Sequence, residues 1–338
     1  MPKGVLLVNL GSPDSFEIKD IKRYLKEFLM DERVIDYPYW LRYLIVRGII
    51  LNVRPPKTSE AYKKIWWDEG SPLIVISKRL TAKVQAQVSV PVVMAMRYGN
   101  PSISAGLEAL HKQGVTEVLL IPLYPQYAMA TSETIEVLAE KLIREHYPQM
   151  VLHKFAPFFH RKEYIEALAG VTGPILADYP YDHLLFSYHG VPERHLYKTS
   201  PTPTHKHIED GKRCCDPYSA EGAHCYRSHC FETTRLLAEA LQLPEGKYSI
   251  SFQSRLGADK WLTPFTSDRI KALAQSGVKR LAVITPAFVA DCVETLEEIE
   301  MVGGKTFVKN GGESFKLIPC LNDSELWAKA LAQWINND

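Results

Sequence analysis

Eight short runs of mostly apolar residues recur along the chain, at 5–10, 92–97, 117–122, 151–155, 183–187, 248–253, 280–285 and 315–319. A strand half exposed to water would alternate polar and apolar positions, so near-continuous runs of this length read as strands buried on both faces. Between most of them lie stretches with helical spacing of apolar positions, such as 104–112, 132–145 and 232–241. Strand, helix, strand in repetition means parallel sheets with helices over both faces, an α/β class. The eight runs split four and four, with the break near 157–161. This predicts two similar doubly wound domains, 1–157 and 158–321, each with a four-stranded parallel sheet, and a cleft between them. A last helix within 322–338 carries Leu326, Trp327, Ala330, Leu331 and Trp334 at helical spacing and is expected to pack back on one domain. There is no low-complexity tract and no repeat at the level of sequence.

One segment departs from this pattern. Residues 24–51 hold Tyr24, Leu25, Phe28, Leu29, Met30, Tyr37, Tyr39, Trp40, Leu41, Tyr43, Leu44, Ile45, Ile49 and Ile50, interrupted by Arg33, Arg42 and Arg47. A surface helix pair needs fewer apolar and aromatic side chains. Two readings stand side by side: core helices, or an apolar lip that meets a membrane surface or a flat greasy ligand, with arginines at the level of lipid head groups.

Composition narrows the classes. With 46% hydrophobic and 23% charged residues and a formal net charge of +1, nothing favours nucleic acid as a partner. No uninterrupted apolar run approaches the roughly 20 residues that span a bilayer. The opening run at 5–8 is too short for the core of a signal peptide, so a cytoplasmic protein is expected, with the lip as a peripheral contact on the inner face of a membrane.

Special residues collect after the strand ends, where open α/β sheets keep their chemistry. The fifth run ends in Ser187-Tyr188-His189-Gly190-Val191-Pro192-Glu193-Arg194. Gly190 and Pro192 forbid a regular element, so His189 is expected on a tight turn at a strand's carboxyl end. Gly11, Ser12 and Pro13 follow the first run, and Tyr98 and Gly99 follow Arg97. Ser254 and Arg255 lead to Trp261. After the seventh run the segment 290–301 opens an acidic helix with Glu294, Glu297, Glu298 and Glu300. Glu294 and Glu298 share one face of an α-helix with about 40° of drift, and a wider π turn would bring them nearer to alignment. No glycine-rich phosphate or dinucleotide loop follows any strand.

Four of these segments together resemble the ferrochelatases. They are residues 187–194, Ser251-Phe252-Gln253-Ser254-Arg255-Leu256-Gly257 with Trp261-Leu262, residues 288–296, and Leu7-Val8-Asn9-Leu10-Gly11-Ser12-Pro13. The resemblance spans essentially the whole chain. It implies two Rossmann-like domains of the chelatase kind, and insertion of Fe(II) into a porphyrin with release of two protons as the last step of haem synthesis. It assigns His189 as the base that takes pyrrole protons and as a metal ligand. Glu294 faces it as ligand or proton exit, and Glu298 lies next along the path. Leu10, Arg97, Tyr98 and Trp261 line the porphyrin pocket and Ser71 contacts a propionate. Protoporphyrin IX is the expected substrate, because relatives that use coproporphyrin III often carry tyrosine at the position of Leu10 and a less apolar lip. Another metal for the same ring, and a non-catalytic porphyrin or haem carrier, are the competing readings. The chain departs from its relatives at Val302, where a third acid is common, and at Cys292, where many have histidine; a neutral thiol is expected there.

Cys214, Cys215, Cys225 and Cys230 fall within 17 residues. Four thiolates so close could hold a [2Fe-2S] centre, which some ferrochelatases carry. Zinc competes, because His205, His207, His224 and His229 lie nearby, and so does the absence of any metal, with Cys230 simply opening a helix.

Overall fold

All eight apolar runs form strands: β1 (Lys3–Ser12), β2 (Val92–Gly99), β3 (Glu117–Pro122), β4 (Val151–Lys154), β5 (His183–His189), β6 (Tyr248–Gln253), β7 (Arg280–Ile284) and β8 (Ser314–Leu317). The computed structural model describes residues 2–199, 218, 223–255, 257 and 259–337. The strands make two four-stranded sheets, β2-β1-β3-β4 and β6-β5-β7-β8, and every pairing is parallel. Both sheets therefore have the same order, with the first strand of each half inside. The interior strands carry the most continuous apolar runs: residues 5–8 of β1 and 184–186 of β5 are fully buried. β4 lies at an edge and shows Val151, His153 and Lys154 to solvent, with Lys154 supplying the charge that discourages further strand pairing.

The chain divides into two compact units. The first comprises Met1–Leu123, Met129–Ala156 and Asn322–Asp338; the second comprises Tyr124–Ala128 and Pro157–Leu321. The helix Glu325–Asn337 belongs to the first unit. There Trp334 stacks on Phe155 at 5.1 Å, and Lys83 bonds to Asp323 and Glu325 at 3.1 and 2.9 Å. In the second unit Leu185, Leu281, Val283 and Leu317 from the sheet meet Ile270, Leu273, Ile299 and Phe307 from its helices. Each such side chain contributes about 1.5–3 kcal/mol on burial.

Two glycines show how closely the backbone packs. A Cβ on Gly106 would lie 2.6 Å from Leu6 Cδ1, so only glycine lets the helix Ile103–Lys112 settle on β1. At the end of β1, Gly11 has φ +116°, and a Cβ there would stand 1.8 Å from the carbonyl oxygen of Tyr98.

The apolar segment divides its residues between the two readings. Tyr24, Leu25, Leu29, Ile35, Val46 and Ile50 are core. Trp40, Ile49 and Val53 are 64%, 62% and 70% exposed, and Tyr39 and Leu44 are exposed beside them. They sit on the helix Tyr39–Tyr43, the π-helix Leu44–Ile50 and the start of the helix Leu51–Ile65. Arg42 is not the surface arginine that the pattern suggested. It is buried, and its Nη1 donates to the carbonyls of Ile35 and Tyr37 at 3.1 and 3.0 Å, closing the loop between helices.

Candidate active site

In the second unit the chemistry-bearing residues stand at the carboxyl ends of β5, β6 and β7. His189 is the last residue of β5, paired in register with Gln253 at the end of β6. The turn that follows is tight: a Cβ on Gly190 would lie 2.8 Å from the carbonyl oxygen of Ser254. Gly190 N–H donates to the Gln253 carbonyl at 2.6 Å, and His189 Nδ1 lies 2.6 Å from the Gly190 carbonyl oxygen. A carbonyl can only accept, so Nδ1 carries the proton. The lone pair at Nε2 is thereby left for a proton or a metal.

The acidic segment begins in a π-helix, Glu294–Gly303. Its i→i+5 ladder takes more residues per turn than an α-helix, so Glu294 and Glu298, four apart, return closer to one face. Gln253 ties this helix to the strands. Its Oε1 accepts from Ser187 Oγ at 2.8 Å, and its Nε2 donates to the Glu294 carbonyl oxygen at 3.1 Å. Burial pushes the Glu298 carboxyl above its ordinary value and the Glu294 charge adds to this; the hydroxyl and N–H of Ser254 and the charge on His189 pull the other way. His189, Glu294 and Glu298 are thus near enough to feel one another. Cys292 is buried, with Glu294 and Cys320 close to its sulfur; burial foremost, then those two acidic neighbours, push the thiol up, so it stays neutral. Trp261 is half-buried, paired with Pro192 and in contact range of Gly190. Phe288 meets the His189 ring edge-on at 6.3 Å.

The first unit carries a separate group. Leu10 is half-buried near the end of β1, where its N–H bonds to Asn9 Oδ1 at 2.8 Å. Ser12 Oγ donates to Ser71 Oγ at 2.7 Å, leaving the Ser71 proton to be given elsewhere. Arg97 and Tyr98 enter a knot of buried polar groups. The Arg97 guanidinium binds Asp31 and donates to Thr134 Oγ1 at 2.8 Å, while Thr134 in turn donates to Asp31. Tyr98 is fully buried; its hydroxyl donates to Asp31 at 2.9 Å and its ring meets Phe28 edge-on at 5.1 Å. Sequence reading missed Asp31 and Thr134. Asp31 opens the charged run Asp31-Glu32-Arg33, which reads as a solvated turn, and nothing marked Thr134.

Cys225 and Cys230 are buried thiols at the start of the helix Tyr226–Ala240, and Cys214 and Cys215 lie outside the described residues. Among the described residues no group of three or more His, Cys, Asp and Glu side chains gathers as a metal ion requires. His229 has both ring nitrogens engaged: Nδ1 accepts from Tyr127 N–H at 3.1 Å and Nε2 donates to the Ala223 carbonyl at 3.1 Å. Its ring also stacks on Phe159 at 3.7 Å, so it is neutral and structural, with no lone pair left for zinc.

The ferrochelatase family model matches residues 2–338. The chain belongs to the ferrochelatase family. It is 49% identical over 330 residues to the ferrochelatase of Pseudomonas fluorescens strain Pf0-1, covering 97% of this chain and 96% of that one. To the ferrochelatase of Azotobacter vinelandii it is 49% identical over 331 residues, 97% of each chain. It is accordingly an enzyme, a metal chelatase of the lyase class in haem biosynthesis, with ferrous iron and a porphyrin as substrates. Solved structures agree on the fold. SirB from Bacillus subtilis with Fe3+ superposes with a TM-score of 0.56 at 13% identity, over 100% of this chain and 95% of that one. The sirohydrochlorin chelatase SirB from Bacillus subtilis subspecies spizizenii in complex with cobalt gives 0.56 at 12% identity over the same shares. The two Rossmann-like units expected from the strand pattern are those of the chelatases.

Proposed function

We propose that this ferrochelatase inserts Fe(II) into protoporphyrin IX to give protohaem and two protons, with His189 as the base. The observation that carries the reading is the bond from His189 Nδ1 to the Gly190 carbonyl, which leaves Nε2 as the ring nitrogen able to meet a pyrrole proton or the metal. Two pyrrole protons must leave as the metal enters, and a neutral imidazole accepts them at neutral pH. Imidazole and carboxylate also suit ferrous iron. His189, Glu294 and Glu298 do not gather as a ready-made three-ligand site, so they are proposed as successive contacts that strip water from the ion on its way to the ring. The fixed tautomer and the Gln253 and Ser254 bonds hold these groups before substrate arrives, so little reorganisation is left to the reaction itself. In the second unit Trp261 would pack on the ring, its apolar contact supplying energy to bend the macrocycle toward the ion. In the first unit Leu10 and Arg97 are the proposed ring contacts and Ser71 a propionate contact, whereas Tyr98, expected among them, is fully buried on Asp31 and has no surface to offer a ring.

The exposed lip supports protoporphyrin over the more acidic coproporphyrin III, and supports a cytoplasmic enzyme touching the inner face of the membrane through 24–51. Four thiols, Cys214, Cys215, Cys225 and Cys230, make the donor set that a [2Fe-2S] centre uses; no step of the insertion runs through it. Visible absorbance and acid-labile sulfide in freshly purified protein test the centre, and zinc without sulfide would replace it.

The deciding experiment offers ferrous iron anaerobically with protoporphyrin IX and coproporphyrin III side by side. Protoporphyrin is expected to turn over faster. His189→Ala is expected to abolish insertion while porphyrin still binds, and Glu294→Gln to cut turnover strongly with little change in porphyrin affinity. Wild-type insertion by His189→Ala would remove the catalytic assignment, and binding without insertion by the wild type would mark a carrier.

A further inference from the structure

Tyr226 lies between Cys225 and Cys230 in the sequence, and its hydroxyl donates to the carbonyl oxygen of His189 at 2.8 Å. We infer that Tyr226 is a positioning residue for His189, tying the cysteine-bearing end of the helix Tyr226–Ala240 to the imidazole; this rests on the reading of His189 as the base.

The bond answers a need set by the sheet. The peptide joining His189 to Gly190 points its N–H at Gln253 on β6, so, being trans, it points the His189 carbonyl the opposite way, toward the side of β7. The ladder between β5 and β7 ends earlier, at Phe186 and Ile284. No strand remains on that side to donate to this oxygen, and an unpaired carbonyl in such a site is costly. Tyr226 supplies the donor. The turn is then fixed at three points: Gly190 N–H on Gln253, His189 Nδ1 on Gly190 O, and Tyr226 Oη on His189 O. The first and third hold the peptide whose orientation aims the imidazole; the second selects its tautomer.

The phenol has a single proton, and it is committed to His189. Cys230, four residues on and on the same helix face, places its thiol at the same hydroxyl, while burial keeps the phenol protonated. Cys225 immediately precedes Tyr226 as the N-cap residue. A change in what the Cys230 thiol bonds to therefore acts on the hydroxyl that holds the peptide carrying the imidazole.

The test uses Tyr226→Phe, isosteric and lacking only the hydroxyl, with Thr234→Val as control. Thr234 lies on the same helix and bonds Tyr188 Oη at 2.8 Å, so its replacement also removes a buried hydroxyl bond. Anaerobic iron insertion into protoporphyrin IX is measured on both variants, and ring 15N spectra are recorded on 15N-histidine-labelled full-length protein, with the His189 signals identified by their loss in His189→Ala. For Tyr226→Phe we expect a kcat about tenfold lower, the porphyrin KM within about twofold, and a His189 ring that no longer keeps the single Nδ1–H form. Thr234→Val is expected to leave both readings unchanged. A Tyr226→Phe protein with wild-type kcat and wild-type His189 signals overturns the inference, as does an equal loss in Thr234→Val, which assigns the effect to core packing. A changed ring signal with unchanged kcat upholds the positioning and instead removes His189 as the base.

Discussion

Ser254 aims both its backbone N–H and its hydroxyl at the carboxylate of Glu298, at 3.1 and 2.6 Å. It does so from a left-handed backbone, φ 61°, a conformation that costs a residue with a Cβ about 1 kcal/mol or more. Two hydrogen bonds to a charged acceptor offset that cost. The arrangement fixes one candidate iron ligand before the metal arrives. Ser254→Ala keeps the N–H and removes the shorter bond, so the KM for ferrous iron should rise about five- to tenfold while the KM for porphyrin stays within about twofold. Ser254→Gly relaxes the backbone but should show the same loss. Initial rates under anaerobic iron titration check this, and an unchanged iron KM in both variants rejects the assignment.

Asp31 is the anion that keeps Arg97 tolerable in the interior. Burial alone raises the Asp31 carboxyl, but bonds from Thr134 and the Arg33 N–H, the Arg97 charge and the Tyr98 hydroxyl outweigh it and hold the group below its ordinary value. Asp31→Asn leaves a largely buried guanidinium without its counter-ion and should cost about 3–5 kcal/mol in urea unfolding. Arg97→Met placed on top of Asp31→Asn should cost little further, because the unpaired charge is gone; the coupling between the two sites should exceed about 1 kcal/mol. Strictly additive losses would show that the pair does not act as a unit.

The sheets were legible because strands buried on both faces must be apolar without interruption, and this alone located all eight. The end of β5 was equally legible, since the strand stops at His189 before Gly190. The expectation of no regular element through Arg194 fails, because the helix Glu193–Thr199 starts directly after Pro192, which suits a helix's first turn. Side-chain knots were not legible. Asp31, Arg97 with Tyr98, and Thr134 lie on three separate stretches of sequence, and no local pattern relates an acid at 31 to a hydroxyl at 134. The role of Ser254 depends on a φ angle that nothing in Gln253-Ser254-Arg255 demands. Nothing in the sequence marked Tyr226, because a tyrosine becomes a donor to His189 only once the fold brings the first residue of the helix Tyr226–Ala240 to the end of β5. The acidic helix was read on α-helical geometry with a π turn as a variant; the π-helix is what forms.

His183, at the opposite end of β5 from His189, gives a pH dependence with a defined sign. Burial foremost, then the charges of Arg269 and Lys247, lower its pKa from 6.5 to about 4. Between those values the unfolded chain binds a proton that the folded chain refuses, so stability falls as pH drops from 6.5 toward about 4 and is unaffected by this group above 6.5. His183→Gln cannot take up that proton. The wild type should therefore lose stability relative to the variant as pH falls through that window, and their difference should be constant at higher pH. Thermal midpoints of both proteins across that range measure it, and parallel curves would show that His183 does not titrate as described.

The lip offers the last prediction. Tyr39, Trp40, Leu44, Ile49 and Val53 expose large apolar side chains within 15 residues of sequence, whereas the apolar face beneath them, Val46 and Ile50, is already packed. Arg47 lies beside them with its guanidinium over the Tyr43 ring at 4.9 Å, a cation at the level where lipid phosphates would sit. An apolar surface of this kind that met only water would gain nothing from its exposure. Replacing Trp40, Leu44 and Ile49 together with serine removes three exposed side chains and no buried ones, so the melting temperature should move by no more than a few degrees. Partition onto vesicles containing anionic lipid should fall more than tenfold, at about 1.5 kcal/mol or more for each large apolar side chain withdrawn from the interface. Cosedimentation with vesicles of matched composition reads this directly. Equal binding by the triple variant and the wild type would mean that the segment contacts something other than lipid.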